Sequence, residues 1–186
     1  MYYDPSGFDS QKDMAATVAG MTYDERIDAL YTRRNEYVQT KIDTGTLPVS
    51  YAPLQENELA VGSYQNAPRT TGDGVTPHHM PSARSIGADG VCLNTMGSTH
   101  TGTFTYGLSD STRAYDAALY ESLTYEDRLE FDRADIQDIY ERTRPNVSPE
   151  LLEESLRVQY DLAMRTRTEA EQMEQAESEK VENTKC

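Results

Sequence analysis

Cysteine is scarce in this sequence: the 186 residues hold two, Cys92 within the apolar run Gly90-Val91-Cys92-Leu93 and Cys186 as the last residue. Thiols so placed, one expected buried and one exposed, exclude a disulfide framework and a cysteine-rich zinc ribbon or finger. Any metal must then be held by histidine and carboxylate. Long apolar runs are missing as well. None approaches the roughly 20 residues of a membrane-spanning helix, and Met1-Tyr2-Tyr3-Asp4-Pro5 has neither the basic nor the apolar stretch of a secretory signal. A soluble protein with no membrane partner is expected, and any export would use another route. Basic residues are few, 17 Lys and Arg against 32 Asp and Glu, and the net charge of −15 excludes a protein that grips nucleic acid through a broad basic face.

The charge is unevenly spread. From Glu169 to Cys186 six Glu stand against two Lys, whereas from Gly74 to Tyr115 Asp89 and Asp110 are balanced by Arg84 and Arg113. That neutral stretch also contains every histidine of the chain, His78, His79 and His100, within 23 residues. A length of 186 residues with 37% apolar composition suits one compact domain plus appendages.

An α+β, mostly helical fold is expected, with a small β-hairpin core between N- and C-terminal helices. Residues 1–45 read as a lead-in, aperiodic to residue 11 with turn chemistry at Asp4-Pro5-Ser6-Gly7, followed by a helix. Thr22 with Glu25 three residues on forms a capping box, and Ile27, Leu30, Tyr31, Arg34 and Val38 recur at helical spacing to about Ile42, with Gly45 beyond the end. Residues 46–122 form an irregular and β segment, because Pro48, Pro53, Pro68 and Pro77 with several glycines forbid long helices. A short strand is expected in Gly90–Asn94, and a strand or helical turn over Thr103–Tyr106. Residues 123–168 read as C-terminal helices: Thr124 repeats the capping wording of Thr22, Pro145 stops the first, and Ser148-Pro149-Glu150 starts the next. That last helix is expected to bury Leu151, Leu152, Leu156, Tyr160 and Met164. Residues 169–186 are an acidic tail, either a solvated helix end or disordered.

Pro77 makes the approach to the adjacent histidines extended, so His78 and His79 point to opposite sides and suit different tasks, a ligand and a base. Asn94 and His100 follow within a turn-strand-turn length. The series His78-His79-Met80-Pro81-Ser82, Gly87, Leu93-Asn94-Thr95-Met96, Thr99-His100-Thr101-Gly102-Thr103 and Tyr106-Gly107 resembles the nuclease-like toxin domains that open on a His-His-Met-Pro-Ser type element. These belong to bacterial polymorphic toxins and are similar to the HNH and endonuclease VII superfamily with its ββα-metal hairpin. The resemblance covers about 30 of the 186 residues. It implies a metal-dependent endonuclease in which His78 and His100 bind a divalent metal, His79 activates water, and Asn94 braces His79 by accepting from its Nδ1–H. It further implies a nucleic-acid substrate, an exported effector acting in a target-cell cytoplasm, and a cognate immunity protein or carrier toxin as partner.

Arg84 and Arg113 are the candidate phosphate contacts. The chain departs from the family pattern at Phe104, which stands where a further histidine ligand is often found. Two histidines with open positions, completed by water, phosphate or a group such as Asp73, suit Zn²⁺ or Ni²⁺ better than Mg²⁺ or Mn²⁺. Thr99, Thr101, Thr103 and Thr105 alternate as on one face of a strand. Residue by residue there are plainer readings: loop histidines beside a proline, an asparagine at a turn, a histidine hydrogen-bonded among threonines. The whole-chain alternative is a non-enzymatic acidic interaction module or a nucleic-acid mimic, with a structural metal or none.

Overall fold

The computed structural model describes residues 8–82 and 90–183. The lead-in over residues 1–7, the candidate Arg84, the turn at residues 87–89 and Cys186 lie outside them. The fold is α+β and mostly helical, with six helices and one three-stranded antiparallel sheet among the described residues. Helices α1 (Phe8–Ala19) and α2 (Tyr23–Asp43) precede strands β1 (Val61–Ser63), β2 (Val75–His79) and β3 (Val91–Met96). Helices α3 (Gly97–Gly102), α4 (Ala114–Glu121), α5 (Tyr125–Thr143) and α6 (Pro149–Asn183) follow.

The helix starts follow their capping chemistry. Thr22 accepts from the Glu25 amide while the Glu25 carboxylate accepts from the Thr22 amide, which satisfies two otherwise orphaned donors. Thr124 accepts from the Asp127 amide in the same way at the start of α5. Gly45, at φ 70°, ends α2 by donating to the Ile42 carbonyl at 2.9 Å. Helix α1 begins at Phe8, so residues 8–11 are not a lead-in. Local periodicity is weak there, and the helix is supported by packing, with Val18 buried among Leu108, Ala117 and Leu119.

Strand β3 is central, in the order β1-β3-β2. In its register His78 pairs with Leu93, His79 with Cys92, and Gly62 with Cys92 from the other side. Cross-strand partners share a face. The His78, Leu93 and Val91 face therefore meets the helices, and Val91, Leu93 and Met80 pack with Leu129, Ile136 and Leu156 of α5 and α6. The opposite face, with Gly62, Cys92, Asn94 and His79, lies under the connector of residues 55–70. A Cβ at Gly62 would come within 3.2 Å of the Ala67 backbone, so this turn closes over the sheet because residue 62 has no side chain.

Helix α6 runs on through Asn183, so of the two expected forms of the acidic stretch the helix end is the one present. It buries Leu152, Leu156, Gln159 and Ala163, whereas Leu151 is 44% exposed. Leu152 and Leu156 are buried as expected, Tyr160 and Met164 pack partly buried beside them, and Leu151 alone of the expected face turns outward. The alternating threonines lie on no strand, because Gly97–Gly102 is a helix that buries Thr99 and is followed by turns. No helix among the described residues is long and apolar enough to cross a membrane.

One buried ion pair ties the layers together. Arg34 of α2 donates through Nε to Asp135 Oδ1 of α5 at 2.8 Å, and Asp135 Oδ2 accepts from the Phe104 amide at 2.7 Å. Breaking a buried pair by removing one partner costs about 3–5 kcal/mol. Asp135→Ala is expected to lose stability of that order in urea unfolding, against about 1 kcal/mol for the cap variant Thr22→Ala.

Candidate metal centre

The His-His-Met-Pro-Ser element is the end of β2 and the turn after it. Each residue is held separately. Met80 is buried, its amide donates to the Val91 carbonyl at 3.1 Å, and its carbonyl accepts from Gln159 Nε2 at 2.6 Å. The Ser82 amide donates to the Tyr120 hydroxyl at 3.1 Å, and that hydroxyl donates to buried Asp132 at 2.7 Å. Helix α3 follows β3 directly, anchored by the Gly97 amide on the Gly74 carbonyl at 2.8 Å. Its last turn brings His100 back over the end of β2.

The three histidines meet at one cavity of about 390 Å³, whose other side is the turn of residues 105–109. His78 is 4% exposed and its ring lies edge-to-face on His100 with centroids 5.0 Å apart. His79, on the opposite face of the strand, is half-buried and stacks on Tyr64 at 4.7 Å and 19°. Burial pushes the His78 imidazole well below its ordinary pKa, with the neighbouring His100 and His79 adding to the effect. Burial likewise lowers His100, and His79 contributes. Both rings are therefore neutral near pH 7 and keep a lone pair for a ligand. No group of three metal-ligating side chains is gathered among the described residues. Two imidazoles sharing one ion at about 2.0–2.1 Å place their ring centroids roughly 5 Å apart. The His78 and His100 pair fits that requirement.

The other candidates fall elsewhere. Asn94 sits opposite Pro77, not His79. Its amide nitrogen donates to the Asn57 and Pro68 carbonyls at 3.1 and 2.7 Å, while its Oδ1 is buried and accepts no hydrogen bond. The expected bond from His79 to Asn94 is not formed. Asn94 instead ties down the connector that carries Tyr64, and so reaches His79 through that ring. Arg113 is enclosed: it stacks on Tyr37 and Phe104 at 4.2 and 4.6 Å, and pairs with Asp116 at 3.1 Å. Its Nη1 donates to the Phe104 and Tyr106 carbonyls at 2.7 and 2.9 Å. It holds the cavity wall from behind and is not among the residues that line the cavity. Asp73 precedes β2 and is separated from His78 by most of an extended strand, about 3.3 Å per residue. It accepts from the Val75 amide at 2.9 Å. Phe104 is fully buried against Tyr37 and Phe131, directed into the core.

Tyr64 and Arg69 had no distinct signal in the sequence, and Tyr106 entered it only within the Tyr106-Gly107 pair of the resemblance. Tyr106 is 45% exposed on the cavity wall and lies edge-to-face on His100 at 5.4 Å. Tyr64 carries His79, and Arg69 lies over Tyr64 at 4.5 Å. Among 13 tyrosines, nothing local separates these from packing residues. Cys92, a buried free thiol under this face, has its pKa pushed up to about 12 by burial, with Arg69 acting against the shift.

Comparison with protein-family models, with curated proteins and with solved structures gives no match for this chain.

The depressed imidazoles have a consequence for stability. A histidine whose folded pKa lies below its unfolded value of 6.5 binds fewer protons in the folded state, so stability is lost as pH falls through 6.5. In EDTA the urea midpoint is expected to drop between pH 7.5 and 5, and His78→Gln is expected to flatten that slope.

Proposed function

We propose that this protein is a metal-dependent phosphodiesterase acting on nucleic acid, with an HNH-like division of labour among its histidines. The observation that carries the reading is the meeting of His78, His79 and His100 at one cavity, with the first and last facing each other at 5.0 Å. His78 and His100 would hold a divalent cation of the zinc or nickel kind, which would supply positive charge to the phosphate and the departing oxygen. His79 takes the proton from the attacking water and passes it to solvent, for which its half-exposed position is suited. Tyr64 fixes the plane of the His79 ring by stacking. The hydrogen bonds at Met80 and Ser82 keep the strand end from moving as the proton transfers. The site lies in the neutral stretch of an acidic chain, so substrate affinity rests on local contacts and falls with salt.

Plasmid DNA and RNA incubated with Mg²⁺, Mn²⁺, Zn²⁺ or Ni²⁺ test this. Cleavage that EDTA abolishes is expected. His79→Ala should lower it by about 10²-fold or more with metal stoichiometry retained, and His78→Ala and His100→Ala should lose the metal in calorimetry. Absence of cleavage with all four ions, together with no stoichiometric binding, overturns the reading and leaves an acidic interaction module.

A further inference from the structure

The face of the sheet that carries His79 also carries a cation. Ser63 ends β1, and the amide of the next residue, Tyr64, donates to the Gly90 carbonyl at 3.0 Å, which extends the pairing by one step. The chain then turns back over Gly62, with the Ala67 amide on the Ser63 carbonyl at 2.7 Å. This turn returns Arg69 to Tyr64. The guanidinium lies 4.5 Å from the Tyr64 ring centre and donates to the Tyr64 carbonyl, while the same ring stacks on His79 at 4.7 Å. Guanidinium and imidazole are therefore both gathered on the one phenol ring.

Among the described residues most arginines are neutralised. Arg33, Arg34, Arg113, Arg142, Arg144, Arg157 and Arg167 all pair with carboxylates. Arg69 is exposed, and among the described residues no carboxylate lies within 4.0 Å of it. Among the described residues its contacts are a ring face and one carbonyl, and a guanidinium so held keeps its fork geometry for a phosphate.

We infer that Arg69, seated on Tyr64 beside His79, binds a backbone phosphate of a nucleic-acid strand, one nucleotide away from the phosphate at the histidines. The inference rests on the nuclease reading. Arg69 and His79 both pack on the Tyr64 ring, at 4.5 and 4.7 Å from its centre, so the guanidinium is assigned to a neighbouring phosphate and not to the oxygen on which His79 acts. Its contribution is to substrate binding and register, equal in ground state and transition state, and therefore to KM and not to kcat.

Binding of a fluorescein-labelled single-stranded oligonucleotide, followed by anisotropy in EDTA over a range of NaCl, reads this without catalysis. Arg69→Ala is expected to weaken binding about tenfold and to reduce the slope of log K against log salt by about one. Arg69→Lys should recover part of the affinity. Arg165→Ala, a change of the same charge at an exposed site on α6, should bind as the unaltered protein does. Equal affinity for Arg69→Ala and the unaltered protein overturns the inference, as does an equal loss in Arg165→Ala or the absence of oligonucleotide binding. Arg69-dependent binding by a protein that cuts nothing would sink the nuclease reading and leave this one standing. Cleavage with Arg69-independent binding would do the reverse.

Discussion

Asp135 stands at the junction of three parts of this molecule, and the shape of the candidate site follows from its two oxygens. One oxygen accepts from Arg34 of α2, and the other accepts from the Phe104 amide just beyond α3. Burial pushes the Asp135 carboxyl up, while Arg34 and the Phe104 amide pull it down. Two charges taken out of water cost several kcal/mol each and are tolerated only in close, fully bonded geometry. The arrangement therefore admits one placement of α2 on α5, and it leaves the chain after α3 one exit direction. Arg113 holds the same turn from its other side through the Phe104 and Tyr106 carbonyls. The cavity wall opposite the histidines is set between these two clamps.

The histidines use the pleat of a strand. Neighbours on β2 point to opposite faces, so His78 enters the helical side of the sheet and meets His100, while His79 stays half-open under Tyr64. Burial favours the neutral form of the inner pair, and a neutral imidazole is the form that binds metal. A second buried chain, from Asp132 through Tyr120 to the Ser82 amide, fixes the turn after the histidines. The candidate site residues thus lie on two paired strands and one short helix, and their placement comes from α5 and α6 behind them.

Much of this was legible in the residues alone. The capping box at Thr22 and Glu25, the cap at Thr124, the Gly45 stop and the restart at Pro149 are local chemistry, and they recur in the structure where the sequence places them. The gathering of the histidines was legible from their spacing around a short strand. Strand β1 was not, because three residues of mixed polarity gain their character only from pairing with β3. Nor was the outward turn of Leu151 on α6, where the sheet decides which of two adjacent leucines faces inward. The threonine alternation suggested a strand, yet Gly97 and its bond to Gly74 start a helix there.

Among the site residues the division is similar. Sequence by itself determined that His78 and His79 diverge, since Pro77 makes the segment extended and extended neighbours alternate. Only the tertiary structure decided that Asn94 holds the connector and not the base, that Arg113 is enclosed by Tyr37, Phe104 and Asp116, and that Tyr64 and Arg69 stand beside His79. These contacts join residues far apart in the chain. Their energies come from burial and from register across three strands, which no local window of sequence contains.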